Sequence, residues 1–205
     1  MSKTRDQINE FLGKIDVTDK TVLDVGAGPK RAWLIPPEGE YTGSDRAKPK
    51  VSGVPAGYVT CDYDEQFDCD FHIDLNKSYP AEWFVLNGIN NGPCDYVFCM
   101  ETLEHVWNPV QAIETLSKLT KEKLFLSVPF IYPLHDTHDY LRYTFQWFEK
   151  VLPRFGFKTV QVGRRTSEDA HAFYQKEGMR MSKVTLKQGY ADHIRDIGYV
   201  CEATK

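Results

Sequence analysis

The chain has 205 residues, of which 41% are hydrophobic and 26% charged, and its formal net charge is −4. That is the size and composition of one folded domain with a core of its own, and the acid excess argues against nucleic acid as a partner, since phosphates need a basic surface. Cys61, Cys69, Cys94, Cys99 and Cys201 are odd in number, irregularly spaced and without a CxxC pair, which excludes a disulfide framework and a zinc ribbon and fits reduced thiols in a cytoplasmic protein.

Residues 1–15 are polar and lack the apolar centre of a signal peptide. No uninterrupted apolar run reaches roughly 18 residues, so no membrane span is expected. Residues 4–14 predict a short amphipathic helix with Ile8, Phe11 and Leu12 on one side. Residues 20–26 form an apolar strand ending in glycine, and residues 41–45 read as a second short strand ending in Asp45. Residues 46–66, rich in Pro, Gly, Lys and Asp, read as an irregular connection.

A third strand is placed at 71–74 and a fourth, apolar enough to be buried on both faces, at 95–100. The fifth lies at 123–129, the sixth at 157–162 and the seventh at 197–203. Residues 110–119 carry Ile113, Leu116 and Leu119 at helical spacing behind Pro109. Residues 144–152 predict another helix, with Thr144 as its N-cap. Residues 164–195 are polar and read as helix plus loop, an insertion before the last strand of a single domain spanning 1–205. Strands alternating with helices predict an α/β fold, a doubly wound and mostly parallel sheet.

Chemistry concentrates at the strand ends. In Asp24-Val25-Gly26-Ala27-Gly28 the glycines let backbone approach a ligand closely. In a doubly wound sheet that turn sits at the carboxyl ends of the strands, where ligands bind. Asp45 follows Gly26 by 19 positions, and a carboxylate there accepts both hydrogen bonds of a ribose diol. A dinucleotide fingerprint would require a third glycine at position 31, which is Arg. Each residue also has a plain reading: a tight turn for the glycines, a turn cap for Asp24, a solvated strand-end acid for Asp45.

The Asp24-x-Gly26-x-Gly28 loop resembles that of class I (Rossmann-like) S-adenosylmethionine-dependent methyltransferases, which lack the third glycine. The segment from Cys94 to Pro109, with Glu101, Glu104, His105 and Asn108, is similar to the fourth-strand motif of their small-molecule members. Ser127 to Thr144 resembles a motif after the fifth strand in a subset associated with natural-product and saccharide methylation. The resemblance covers about residues 20–162 and the final strand. It implies a seven-stranded sheet of order 3-2-1-4-5-7-6 with the last strand antiparallel. It also implies S-adenosyl-L-methionine as cofactor, held by Asp24, Gly26, Ala27, Gly28, Asp45, Asp74, Leu75, Cys99, Met100 and Glu101. Of these, Asp74 and Leu75 would meet the adenine and Cys99 to Glu101 the methionine part. Asp95, which opens the fourth strand, reads as a strand cap.

Methyl transfer from a sulfonium is mainly a matter of alignment, and an oxygen acceptor also needs a base, usually histidine near neutral pH. His105, His135 and His138 fall on the expected ligand end of the sheet. His135 ranks first, His105 is the reserve, and Asp139 is the acid that would orient the base. Asp139 and Arg142 also fit an internal salt bridge. His135, Asp136, His138 and Asp139 are of metal-ligand type, but Pro133 and the turn-like run argue for loop, and no metal is expected. Tyr132 and Tyr140 could wall the acceptor or face the sulfonium. The expected partner is a small-molecule acceptor, methylated on oxygen, with no nucleic acid and no membrane. A nicotinamide-dependent oxidoreductase and a non-catalytic cofactor binder remain open. A tRNA or protein methyltransferase is disfavoured by the acidic charge and the lack of a separate substrate domain.

Overall fold

The computed structural model describes residues 3–28, 34, 50–80, 82–83, 92–134, 136–167 and 196–205. Helix α1 (Lys3–Leu12) leads into β1 (Thr21–Val25), β2 (Gly57–Asp62), β3 (Phe71–His72) and β4 (Cys94–Met100). A single turn of 3-10 helix (Leu103–His105) precedes α2 (Pro109–Leu119), which runs straight into β5 (Thr120–Pro129). Helix α3 (Phe145–Val151), β6 (Thr159–Thr166) and β7 (Asp196–Thr204) follow. The strands form one seven-stranded sheet in the order β3-β2-β1-β4-β5-β7-β6. β1 to β5 pair in parallel, and β7 runs antiparallel to both of its neighbours. This is the order and direction of pairing that the sequence motifs imply.

Side-chain alternation along the strands splits the core into two layers. Val22, Tyr96, Phe98, Met100 and Phe125 pack with Ile8 and Leu12 of α1 on one face. Leu23, Val97, Cys99, Leu124 and Leu126 pack with Ala112, Ile113, Leu116 and Leu119 of α2 on the other. Asn108 caps α2 by accepting from the Gln111 N–H, and Pro109 sits in its first turn. Where the helix gives way to β5, Thr120 Oγ1 donates to the Leu116 carbonyl at 2.7 Å. Gln7 ties α1 to the end of β6 through a reciprocal pair of bonds with Thr166.

Three expectations need correction. The strand beside β1 is Gly57–Asp62, inside the stretch read as irregular; the predicted strand at 41–45, with Asp45, lies outside the described residues. Only Thr60 and Cys61 of β2 are buried, so its apolar signal is faint. Thr144 stands at the N-cap of α3 with extended backbone, yet its side chain makes no capping bond; its carbonyl accepts from the Trp147 N–H instead. β6 runs through Thr166, three residues into the segment read as helix and loop; the rest of that segment, 168–195, lies outside the described residues.

Candidate active site

The parallel strands end at one edge of the sheet, and a cleft of 720 Å³ opens there, a volume typical of small-molecule sites. Its floor is the turn after β1, with Val25, Gly26 and Gly28. Gly26 and Gly28 take φ of +77° and +73°, a region that side chains other than glycine rarely adopt. A Cβ at Gly26 would collide with Thr102, whereas one at Gly28 would meet nothing within 4 Å. Gly26 therefore serves chain packing, and Gly28 keeps backbone open towards the cleft.

Beside this turn lies the end of β2. Asp62 Oδ2 accepts from the Gly28 N–H at 2.8 Å, and Oδ1 from the Asp64 N–H at 3.0 Å. Asp62 lines the cleft. It is the acid at the end of the strand next to β1, the place expected for Asp45. Sequence reasoning missed it because it expected the acid 19 residues after the glycine. The available signal was Tyr58-Val59-Thr60-Cys61-Asp62, β-branched and aromatic residues ending in a carboxylate.

Asp24 lies below the turn, buried, and accepts from Tyr58 Oη at 2.8 Å. Burial raises its carboxyl to about 6, with the Tyr58 bond opposing and the nearby Asp62 charge adding to the rise. Asp74 closes a local turn, its Oδ1 accepting from the Asn76 backbone and side-chain nitrogens at 3.0 Å. Asn76 Oδ1 accepts from the Asn108 N–H at 3.0 Å, joining the loops after β3 and β4. Asp74 and Leu75 line the cleft.

On the far wall, Glu101 and Thr102 follow β4 and line the cleft, while Cys99, Met100 and Ala27 are buried. Burial pushes the Cys99 thiol far up, so it holds its proton and serves as an apolar support. Asp95 lies at the opposite end of β4. It accepts from the Thr21 N–H and Oγ1 at 2.9 Å and from Lys121 at 2.7 Å, and the Lys121 bond holds its carboxyl down at about 2.

The loop after β5 folds back onto the 3-10 turn. Tyr140 and Leu141 N–H groups donate to the Glu104 carbonyl at 2.8 and 3.2 Å, and Tyr143 Oη donates to the Leu103 carbonyl at 2.8 Å. His105 Nδ1 lies 3.1 Å from the His138 carbonyl. His105, His138, Asp136, Trp107 and Tyr140 all line the cleft. His135 lies outside the described residues. The Asp139 side chain is buried and forms a bidentate pair with Arg142, and Arg142 also donates to the Tyr132 carbonyl at 3.1 Å. Tyr132 stands outside the cleft lining, exposed.

Five carboxylates, Asp62, Asp64, Asp74, Glu101 and Asp136, line the cleft, and no lysine or arginine does so among the described residues. Such a field favours a cationic ligand. Among the described residues no group of His, Cys, Asp or Glu is arranged to hold a metal ion.

The Methyltransferase domain family model matches residues 2–162, and the chain belongs to that family. No curated protein matches the chain. The fold is similar to an S-adenosylmethionine-dependent methyltransferase from Mesorhizobium loti, with TM-score 0.56 and 13% identity over 100% of this chain and 98% of that one. It is also similar to magnesium protoporphyrin IX methyltransferase from Synechocystis PCC 6803 with bound cofactor, with TM-score 0.50 and 15% identity over 99% and 78%. A third likeness is to the cyclase SpnF, with TM-score 0.53 and 13% identity over 98% and 81%. Family membership assigns S-adenosylmethionine as the cofactor. The residues fit it: an open glycine turn beside the strand-end carboxylate of Asp62, in a cleft whose negative field suits a sulfonium.

Proposed function

We propose that this chain transfers the methyl group of S-adenosylmethionine to an oxygen of a small metabolite or sugar-bearing acceptor. The observation that carries this reading is the sharing of one cleft by the glycine turn with Asp62 on one side and His105 and His138 on the other. Bound there, the cofactor supplies a methyl group on a good leaving group. Gly28 and Asp62 hold the ribose side, Asp74 and Leu75 the adenine side, and Glu101 the methionine side. Asp62 takes the role expected of Asp45.

The acceptor enters from the side of Trp107 and Tyr140, which are 64% and 49% exposed. Aromatic faces of this kind suit a ring-bearing molecule. The carboxylates of the lining disfavour a phosphorylated acceptor and nucleic acid alike. His105 is the base: its Nδ1 faces a carbonyl, which only accepts, so Nδ1 carries the hydrogen and Nε2 the lone pair.

All five cysteines are thiols rather than disulfides, which supports a reducing, cytoplasmic setting. No helix among the described residues is long and apolar enough to cross a membrane.

Calorimetric titration of the purified chain with S-adenosylmethionine and with NAD tests the cofactor. Saturable binding of the first and none of the second is the expected result; the reverse would support an oxidoreductase. Transfer of labelled methyl to a panel of neutral hydroxylated rings, amines and sugar phosphates then tests the acceptor. Binding without transfer to any of them would favour the non-catalytic reading.

A further inference from the structure

Glu104 is fully buried in the 3-10 turn, and neither of its carboxyl oxygens has a hydrogen-bond partner. A buried polar group left unsatisfied is costly, and packing does not explain it, because an apolar side chain would fill the same space at less cost. Its surroundings do. Glu104 Oε1 lies 3.8 Å from His105 Nε2, the nitrogen that the His138 carbonyl leaves with the lone pair. The Glu104 carbonyl is fixed by the N–H groups of Tyr140 and Leu141. The backbone that carries the carboxyl group is therefore fixed beside the ring by bonds from the loop after β5.

We propose that Glu104 is the positioning residue that sets the basicity of His105 in methyl transfer, through the field of its carboxyl group across this gap. The role rests on the methyltransferase reading given above. In the step, His105 Nε2 takes the hydroxyl proton of the acceptor as the acceptor oxygen bonds to the methyl carbon. The carbon–sulfur bond breaks and its electron pair remains on sulfur. The imidazolium so formed lies beside Glu104, and an ionised carboxylate there stabilises it in a site of low dielectric.

Among the described residues, the other groups facing Glu104 are Cys99 of β4, Glu101 just after it, Asp139, Arg142 and Tyr143 of the loop after β5, and Arg165 of β6. Burial first, and then the Glu101 charge, raises the Glu104 carboxyl to about 8.

The test is a histidine NMR titration of the whole chain and of Glu104→Gln, with His105 assigned from His105→Gln. The His105 midpoint is expected to lie at lower pH in Glu104→Gln than in the parent. A carboxyl-carbon titration of Glu104 in the parent and in His105→Gln gives the reciprocal reading and does not require that Glu104→Gln fold. Its midpoint should move when the imidazole is removed. Turnover of Glu104→Gln should fall about 10-fold with cofactor affinity unchanged, less than the roughly 10²- to 10⁴-fold that the positioned base itself contributes. A His105 midpoint unchanged in Glu104→Gln, or a Glu104 midpoint indifferent to His105, overturns the proposal even if methyl transfer is found. Absence of methyl transfer to any acceptor overturns the underlying reading, and this role with it.

Discussion

The guanidinium of Arg165 lies in the space that a Cβ on Gly198 would occupy. The two residues face each other across β6 and β7. Arg165 is almost wholly buried there; its Nη2 donates to the Val128 carbonyl at 2.6 Å and pairs with Glu101 Oε1 at 3.1 Å. A glycine on β7 thus lets an arginine cross the sheet to the acid at the end of β4. Gly198→Ala should destabilise the protein by about 1–3 kcal/mol, the usual cost of overpacking. Arg165→Ala removes the obstacle. The double variant should then be more stable than the sum of the singles by at least about 0.5 kcal/mol, as expected for residues in contact. Urea unfolding of the four proteins measures this. Additive effects would mean that the guanidinium does not fill that space.

Asp62 Oδ2 and the Gly28 N–H join the two halves of the proposed ribose site. Asp62→Ala should weaken S-adenosylmethionine binding by about 1.5–3 kcal/mol, the loss of charge-assisted bonds to a diol. Asp62→Asn, which can still accept from Gly28, separates loss of the turn from loss of the ligand bond and should fall between the two. Calorimetric affinity for the alanine variant equal to that of the parent would remove Asp62 from the site.

How legible the site was depended on where each residue's partners lie. The glycine turn, β4, α2 and β5 stand out in the sequence, because buried parallel strands are continuous apolar runs and Pro109 marks a helix start. β2 is half exposed and follows a Gly- and Pro-rich stretch, so Gly57–Asp62 reads as loop in the sequence and its terminal acid carries only a faint strand-end signal. The Glu101–Arg165 pair joins residues 64 apart in sequence, and a charged residue in a strand gives no sign of whether it turns inward. Gly198 showed only as a strand glycine, because its neighbour Arg165 lies on another strand. The contact of His105 with the His138 carbonyl involves backbone, for which side-chain identity carries no signal.

Asp24 sets a pH dependence opposite to that of most acids. Its folded-state carboxyl titrates at about 6, above an ordinary value of 3.8. A raised value means that stability from this group is complete below the unfolded value and is lost as pH rises through the folded one. The loss falls between about pH 4 and 6 and levels off above, and a rise of this size corresponds to about 3 kcal/mol. Asp24→Asn keeps an acceptor for Tyr58 and carries no charge. Without cofactor it should match the parent near pH 4 and exceed it by up to that amount at pH 7. Thermal unfolding across the range checks this; a difference independent of pH would mean that Asp24 is not desolvated.

The histidines divide the catalytic question. Positioned acid–base catalysis contributes about 10²- to 10⁴-fold, so the variant lacking the base should lose turnover on that scale and keep its cofactor affinity. His105→Ala is expected to behave in this way, because its ring lines the cleft with Nδ1 held on the His138 carbonyl. His138→Ala should do less. Its ring nitrogen lies 3.2 Å from the Thr137 hydroxyl at an exposed position, and the backbone carbonyl that holds His105 survives the substitution. His135→Ala completes the set, since that residue ranks first on sequence. A large loss in His135→Ala with full activity in His105→Ala would move the base to the loop after β5 and leave His105 as part of the wall. Full activity in all three would point to an acceptor that needs no base, such as an amine already neutral at the working pH.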